Sequence, residues 1–439
     1  MNNTVEEVLQ FVRENDVKFI RLSFCDVFGA QKNISIMPNE LERAFEHGIT
    51  IDAAAVQGFL NLEESDLFLI PDAGTLSFLP WRPAQGRVVR FFCDIRRPDG
   101  VPFEGDGRAI LKAAGQECAE KGYVCKIGAE CEFYLFLTDE AGTPTDTPFD
   151  HGSYCDIAPA DKGENVRREI CLTLEQMGIQ PESSHHEEGP GQNEVDFRYS
   201  DALTAADNLV TFKSVVKVIA ERNGLYASFL PKPFADRSGS GLHVNISLSK
   251  DGRNIFRVGT DEHCPQAESF IAGVLNRTRE CTAFFNPLTN SYSRFGSFEV
   301  PRYISWSRQN RSQLIRIPAA PAQRGRMELR SPDPSCNPYL AFALLIRAGL
   351  EGIEQSLPLS EPTHAKLNDY HSADPDGLPQ LPANLGEAIE SAKHSTFIKR
   401  SLPERLTERY FRAKELEWKQ VSSAKNRTAV ERELYFLNL

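Results

Sequence analysis

Between Lys126 and Phe136 the chain reads Lys-Ile-Gly-Ala-Glu-Cys-Glu-Phe-Tyr-Leu-Phe, a run whose aromatic and β-branched residues favour a strand. Side chains two apart on a strand share a face. Glu130 and Glu132 therefore point one way, and Cys131, Phe133 and Leu135 the other. A sheet built on this strand has an apolar side for a core and an acidic side. That second side is either solvated or needs cations between its charges.

At 439 residues the chain exceeds one typical core, and two domains are expected. A net charge of -12 argues against a nucleic-acid backbone as partner, because neutralising phosphates needs basic patches. The first sixteen residues carry acids and amides where a leader would carry basic residues and then an apolar run, so a short amphipathic helix is expected. The apolar run from Tyr339 to Ile346 is interrupted by Arg347 and is too short to span a bilayer. Ten cysteines without a Cys-x-x-Cys pair suit buried thiols in a reducing cytoplasm.

Strands at Phe19–Phe24 and Asn33–Ile36 joined by the turn Asp26–Gly29, a helix at Glu40–Glu46 and a strand at Val88–Ile95 form a first small unit. Between helix and strand lie an acidic stretch, Glu63 to Asp66, and an apolar run. Residues 1–104 are assigned to this unit and 105–439 to a larger one. The larger unit lacks a regular βαβ rhythm, which points to an α+β fold. Its clearest helix runs from Asp201 to Asn223 with Thr204 as a candidate N-cap; another spans Tyr339–Ile353. The last hundred or so residues are mostly helical around a proline-rich connection, Asp374–Pro382. There is no Gly-x-x-x-x-Gly-Lys-Ser/Thr loop, and no Gly-x-Gly-x-x-Gly follows a strand.

Three further stretches carry chemistry. His185-His-Glu-Glu-Gly-Pro-Gly-Gln-Asn-Glu194 is a tight loop able to bring Glu187 and Glu194 together, oxygen ligands of the kind hard divalent cations prefer. Lys232 to His243 is a Gly/Ser loop running into a strand, its amides open to an anion. Arg326, Glu328 and Arg330 alternate on one strand face, and with Arg311 and Arg316 they form a set suited to phosphate and carboxylate.

Taken in order, Gly128-Ala-Glu-Cys-Glu-Phe, His185-His-Glu with Gly191-Gln-Asn-Glu194, Lys232-Pro with Ser238-Gly-Ser-Gly-Leu-His243, Asn310-Arg-Ser, and Arg326-x-Glu-x-Arg330 with Asn337-Pro-Tyr-Leu resemble the motifs of bacterial type I glutamine synthetases. The resemblance covers nearly the whole chain. It implies a small β-grasp-like N-terminal domain, a large catalytic domain, and a dodecamer of two hexameric rings with each active site shared between neighbouring subunits. Glu132, Glu187 and Glu194 then match ligands of one Mg2+ or Mn2+, and Glu130, His243 and Glu328 those of a second. Arg294, Gly239, His243 and Arg330 match glutamate contacts. Arg311, Arg316 and Arg326 match phosphate and nucleotide contacts, and Glu182 and Ser247 fall at nucleotide-binding positions. Glu299 matches a flap residue that takes a proton from ammonium, with Asp52 and Tyr154 at the ammonium site.

The implied reaction is ATP-dependent phosphorylation of the γ-carboxylate of glutamate followed by displacement with ammonia. The chain departs from the pattern at Asp52-Ala-Ala-Ala55, where two serines are usual, in a flap one residue shorter before Glu299, and at Ser238 in place of an Asn. The tyrosine adenylylated in some relatives is missing from Gly377-Leu-Pro-Gln-Leu-Pro382. The alternatives are a γ-glutamyl-amine ligase using a small organic amine, and a silent structural member of the family.

Overall fold

The computed structural model describes residues 4–59, 65–256, 264–320, 324–363 and 377–439. Glu63 and Glu64 of the acidic stretch, and residues 374–376 of the proline-rich connection, lie outside that set. The chain opens with α1 (Val5–Glu14), whose start is fixed by a capping box between Thr4 and Glu7 and whose Val8 and Val12 are buried. Then come β1 (Val17–Cys25), β2 (Gln31–Ile36), α2 (Leu41–His47), β3 (Ile49–Asp52), β4 (Asp66–Pro71), β5 (Ser77–Phe78) and β6 (Arg87–Arg96). They form one sheet of order β2-β1-β6-β4-β3, with β5 also on β6 and only the β1–β6 pair parallel. The expected hairpin across Asp26–Gly29 is present. Gly29 is required there: φ is +86°, and a Cβ would lie 2.7 Å from the Asn337 backbone.

The second part begins with α3 (Gly107–Glu120), β7 (Tyr123–Thr138), β8 (Pro144–Pro148), α4 (Glu164–Gln176), β9 (Pro181–His186), β10 (Gln192–Phe197), β11 (Ser200–Asp201) and α5 (Ala202–Arg222). It continues with β12 (Leu225–Ser228), β13 (Leu242–Lys250), β14 (Arg253–Asn254), α6 (Pro265–Phe285), β15 (Trp306–Arg308), β16 (Ile315–Ile317), β17 (Met327–Leu329) and α7 (Pro338–Glu354). Three helices, α8 (Leu385–His394), α9 (Thr396–Ser401) and α10 (Glu404–Ser422), lead toward the C-terminus. The strands make one large sheet of order β15-β16-β17-β13-β7-β10-β9. The sixteen-residue β7 is its axis. Ile127, Ala129, Cys131, Phe133 and Leu135 are buried in the core together with α5 residues such as Phe212 and Val216. The ten cysteines are all free thiols, and among the described residues no helix is long and apolar enough to cross a membrane.

At the start of α5 the N-cap is Asp201, not Thr204: the Asp201 carboxylate accepts from the Thr204 N–H at 3.0 Å. An anion at a helix N-terminus also opposes the positive end of the dipole, which favours the acid over the hydroxyl. Asp201→Ala is expected to lose about 1 kcal/mol of stability, read as a lowered melting temperature, with Thr204→Ala losing clearly less.

A buried ion cluster holds the two sheets together. Arg108, 4% exposed, donates to Asp94 (2.7 Å), Asp72 (2.8 Å) and Asp207 (3.0 Å), so one guanidinium links β6, the end of β4 and α5. Tyr339 of α7 donates to the same Asp207 at 2.7 Å.

Candidate active site

The acidic side anticipated for β7 is the middle of a larger polar face. Antiparallel pairing sets Glu132 opposite Glu194 and Glu194 opposite His185, giving one row across β7, β10 and β9. A second row runs His243, Glu130, Asp196, Ser183. A third runs Gly128, Asn245, Glu328, Arg316. Side chains directly opposite on one face are close enough to act as a unit. Residues more than a hundred positions apart thus form one constellation.

Glu130, His243 and Glu328 bring one ligand atom each within 4.8 Å of one another, as the sequence grouped them. The other trio is drawn differently. Glu194 joins Glu132 and His243 in one group and His185 and Glu187 in another, so Glu194 bridges Glu132 and Glu187. His185 had no assigned role, yet its Nε2 lies 2.6 Å from Glu187 and 3.8 Å from Glu194.

The electrostatics of the face favour cations. Burial, with Glu187 adding repulsion, pushes the Glu132 carboxyl up to about 8. Burial and the neighbouring Asp196, Glu132 and Glu130 raise Glu194 well above the usual carboxylate range. Burial raises Asp196 to about 6, with Glu130 assisting. Burial acts upward on Glu130 as well, but the hydrogen bonds from His243 and Asn245 outweigh it and hold the group near 2. Carboxylates shut away from water and facing one another are stabilised when divalent ions take the place of protons. Mostly oxygen donors with one imidazole fit Mg2+ or Mn2+. Glu132 is also steered by the protein: Gln192 Nε2 and the Gly241 N–H both donate to its Oε2 at 2.9 Å.

Beside the carboxylates lies an anion pocket. Arg294 is 1% exposed, and its Nη1 donates to the carbonyls of Ser331 (3.0 Å) and Pro332 (3.3 Å). Its Nε and Nη2 have no partner, nor has Nε of Arg316 or Arg330. Buried donors left unpaired in a native site point to a ligand that completes them. The space they face is held open by glycine. A Cβ on Gly241 would lie 2.9 Å from His243 Nε2 and 3.0 Å from Arg294 Nη2. Gly239 is equally confined, with 2.5 Å to the Pro231 carbonyl.

Glu328, 1% exposed, lies between Arg316 (2.6 Å) and Arg330 (2.5 Å). Arg326 donates through Nε to Asn245 Oδ1 at 2.7 Å, next to Glu130. Ser247 continues the His243–Asn245 face of β13, opposite Lys126. Glu182 is exposed on β9, 3.9 Å from Arg198. Tyr154 stacks edge-on against His185 with 5.3 Å between centroids, and Arg311 lies within electrostatic reach of Tyr154. Glu299 is exposed in a left-handed bend, with φ of +48° at Phe298 and +61° at Glu299. Non-glycine residues rarely hold such values, and consecutive ones mark a loop under constraint. Glu188, which the sequence reading passed over, has its carboxyl raised by burial and by Glu299 and Glu187.

Asp52 is not brought to this cluster. It ends β3 in the smaller sheet, and its carboxylate accepts from the Ala54 N–H at 3.0 Å; among the described residues it makes no ion pair with the acidic face.

Residues 104–435 match the family model described as glutamine synthetase, catalytic domain, and residues 16–98 match glutamine synthetase, beta-Grasp domain. The chain is 49% identical over 425 residues to a glutamine synthetase of Methanosarcina mazei, covering 94% of each chain. It is 46% identical over 422 residues to one of Clostridium saccharobutylicum, covering 94% of this chain and 95% of the relative. The solved structure of a GmaS/ADP complex superposes with a TM-score of 0.87 at 30% identity, over 99% of both chains. The two sheets are accordingly a β-grasp domain and a catalytic domain, and the chain belongs to the glutamine synthetase family.

Proposed function

We propose that this chain joins ammonia to the γ-carboxylate of L-glutamate, driven by ATP, to give L-glutamine through γ-glutamyl phosphate. The observation that carries this is the buried Arg294 guanidinium, with two N–H edges unpaired, opening onto Gly241 and His243 beside the acidic face. A fixed fork of that kind takes a carboxylate by paired hydrogen bonds. Arg294, Gly239, His243 and Arg330 orient the amino acid so that its γ-carboxylate meets the phosphate donor. Arg311, Arg316 and Arg326 hold the transferring phosphate and nucleotide, with Glu182 and Ser247 at the nucleotide's edge. Phosphoryl transfer depends chiefly on such positioning and charge.

Two divalent ions are assigned to Glu132, Glu187 and Glu194, and to Glu130, His243 and Glu328; when bound, they neutralise phosphate charge. Glu299 covers the site and removes a proton from ammonium, and Asp52 and Tyr154 help to bind that cation. We also take residues 1–104 and 105–439 as the two domains, and a cytoplasmic dodecamer as the working form.

A second reading has specific support. GmaS is γ-glutamylmethylamide synthetase, and Ala54 and Ala55 make this ammonium site slightly more apolar than the family's usual serines. Apolar selection is weak, however: one methylene is worth about 1–3 kcal/mol, whereas a site built for N–H donors rejects analogues lacking one far more strongly. With glutamate and ATP, kcat/KM is expected to be highest for ammonium and clearly lower for methylamine and ethylamine. A higher value for any alkylamine or polyamine overturns the ammonia assignment and leaves a γ-glutamyl-amine ligase.

A further inference from the structure

Lys232 has no part in the constellation described above, yet it touches both ends of the segment that carries Arg294 and Glu299. Its N–H donates to Asn290 Oδ1 at 2.7 Å, and Asn290 Nδ2 donates back to the Lys232 carbonyl at 3.1 Å. Asn290 opens the short helical turn Asn290–Arg294. From that pinned backbone the Lys232 side chain runs to the far end of the segment, where its Nζ lies 4.5 Å from the centroid of the Phe298 ring. An ammonium within about 6 Å of an aromatic face is attracted by the ring quadrupole, and more strongly where water is kept out. Water is largely kept out here: Lys232 is 6% exposed.

The charge has few other claims on it. Among the described residues Lys232 forms no ion pair, and its ammonium donates to the Arg237 carbonyl. Burial, with Arg294 adding repulsion, lowers that ammonium to about 8, so it is still mostly a cation at neutral pH. Phe298 in turn has little else to hold it. Its ring is half-exposed, and its backbone lies in the left-handed region together with that of Glu299. The bend is closed by two backbone hydrogen bonds of 3.0 Å, from the Gly296 N–H to the Val300 carbonyl and from the Val300 N–H to the Ser297 carbonyl. These fix the shape of the loop but not its tilt over the site. A strained bend with a half-exposed tip keeps one orientation only where something outside it supplies an anchor. Glu299 meanwhile is turned to the acidic face: after burial it is the largest influence raising the Glu188 carboxyl.

We propose that Lys232 is a positioning residue: its ammonium seats the Phe298 ring, and the seat holds the neighbouring Glu299 over the acidic face so that the loop shuts the site to water. The inference rests on the covering role given to Glu299 above and adds what holds the cover down. Without the seat, γ-glutamyl phosphate is open to solvent. A water oxygen then bonds to the acyl carbon, the bond from that carbon to the phosphate oxygen breaks, and glutamate and inorganic phosphate leave with the surplus proton going to solvent. One ATP is consumed and no amide forms.

Full-length Lys232→Met, Phe298→Leu, the double variant and Phe298→Tyr test this with ATP, glutamate and Mg2+ at saturation. The ratio of futile ATP hydrolysis to amide formation is expected to rise roughly three- to thirty-fold in Lys232→Met and in Phe298→Leu, the range a cation–π contact spans from exposed to desolvated. The double variant rises no further than the worse single one, because both changes remove the same contact. Phe298→Tyr keeps the π-face and stays at the wild-type ratio. Hydrogen exchange of the amides of residues 295–300, read without substrate, is expected to quicken in Lys232→Met and Phe298→Leu and not in Phe298→Tyr. Should Lys232→Met lose its cooperative melt, Phe298→Leu carries the comparison alone. Unchanged exchange overturns the proposal and leaves the ammonia reading intact. Quickened exchange with an unchanged ratio removes the covering role from Glu299, and the proposal with it. The ratio is read with methylamine as well as ammonium, so an enzyme that prefers the alkylamine fails the ammonia reading and still tests the seat. Additive losses in the double variant, or a raised KM for glutamate with the ratio intact, place Lys232 in the glutamate pocket instead and overturn the proposal.

Discussion

A Glu328→Gln variant is expected to lose acyl-phosphate formation by at least about 10²-fold, the scale on which one preorganised electrostatic group acts, and to bind one divalent ion fewer per subunit. The structure dictates the choice of glutamine. Glu328 is 1% exposed and receives hydrogen bonds from Arg316 and Arg330. Alanine would leave two guanidiniums without their shared carboxylate, and removing one member of a buried ion pair costs about 3–5 kcal/mol. Glu328→Ala is therefore expected to disturb the fold as well as the site. Glutamine keeps the volume and one carbonyl acceptor. Counting bound Mn2+ by calorimetry separates loss of a ligand from loss of structure. An undiminished metal count in a folded Glu328→Gln protein removes Glu328 from the ligand set.

The contrast between these carboxylates shows what the chain discloses by itself. Glu130 and Glu132 were legible because a strand's period of two fixes their common face regardless of what packs on it. The same rule applied to Glu194-Val195-Asp196 would have found Asp196. The glycines and proline before Glu194 made that segment read as a loop, whereas β10 starts at Gln192 and carries both acids across from β7. His185 escaped for a related reason: adjacent histidines point to opposite faces, and only strand pairing shows that His185 reaches the carboxylates while His186 turns away. His186 is fully buried, with its Nε2 2.8 Å from Asp150.

Other features have no local signature. The unpaired edges of Arg294 depend on carbonyls at Ser331 and Pro332 and on the missing side chain at Gly241, three segments that only the fold assembles. Sequence likeness carried the domain architecture, because hydrophobic alternation and helix periodicity are set locally. It did not carry which buried donors go unpaired, which is set by tertiary proximity.

Asp52 supplies the sharpest test of how the enzyme is assembled. Its carboxylate ends β3 in the smaller domain and has no ion pair with the acidic face of its own chain among the described residues. A residue that serves the ammonium site from there must act in another subunit, as rings of identical contacts allow. Asp52→Ala and Glu328→Gln proteins are each expected to be nearly inactive alone. Dissociated, mixed in equal amounts and reassembled, they should recover roughly a quarter of wild-type activity. Random ring closure places an intact Asp52 beside an intact Glu328 at one interface in about four. Recovery from two inactive parents is a large effect, and no intrachain arrangement produces it, since no chain in the mixture carries both residues. Mixed rings shown by mass spectrometry to have formed, yet still inactive, would place Asp52 outside the shared site. On the proposed ammonia reading, the cation would then be held by groups of the catalytic face, where Glu188 and Glu299 lie within electrostatic reach of one another.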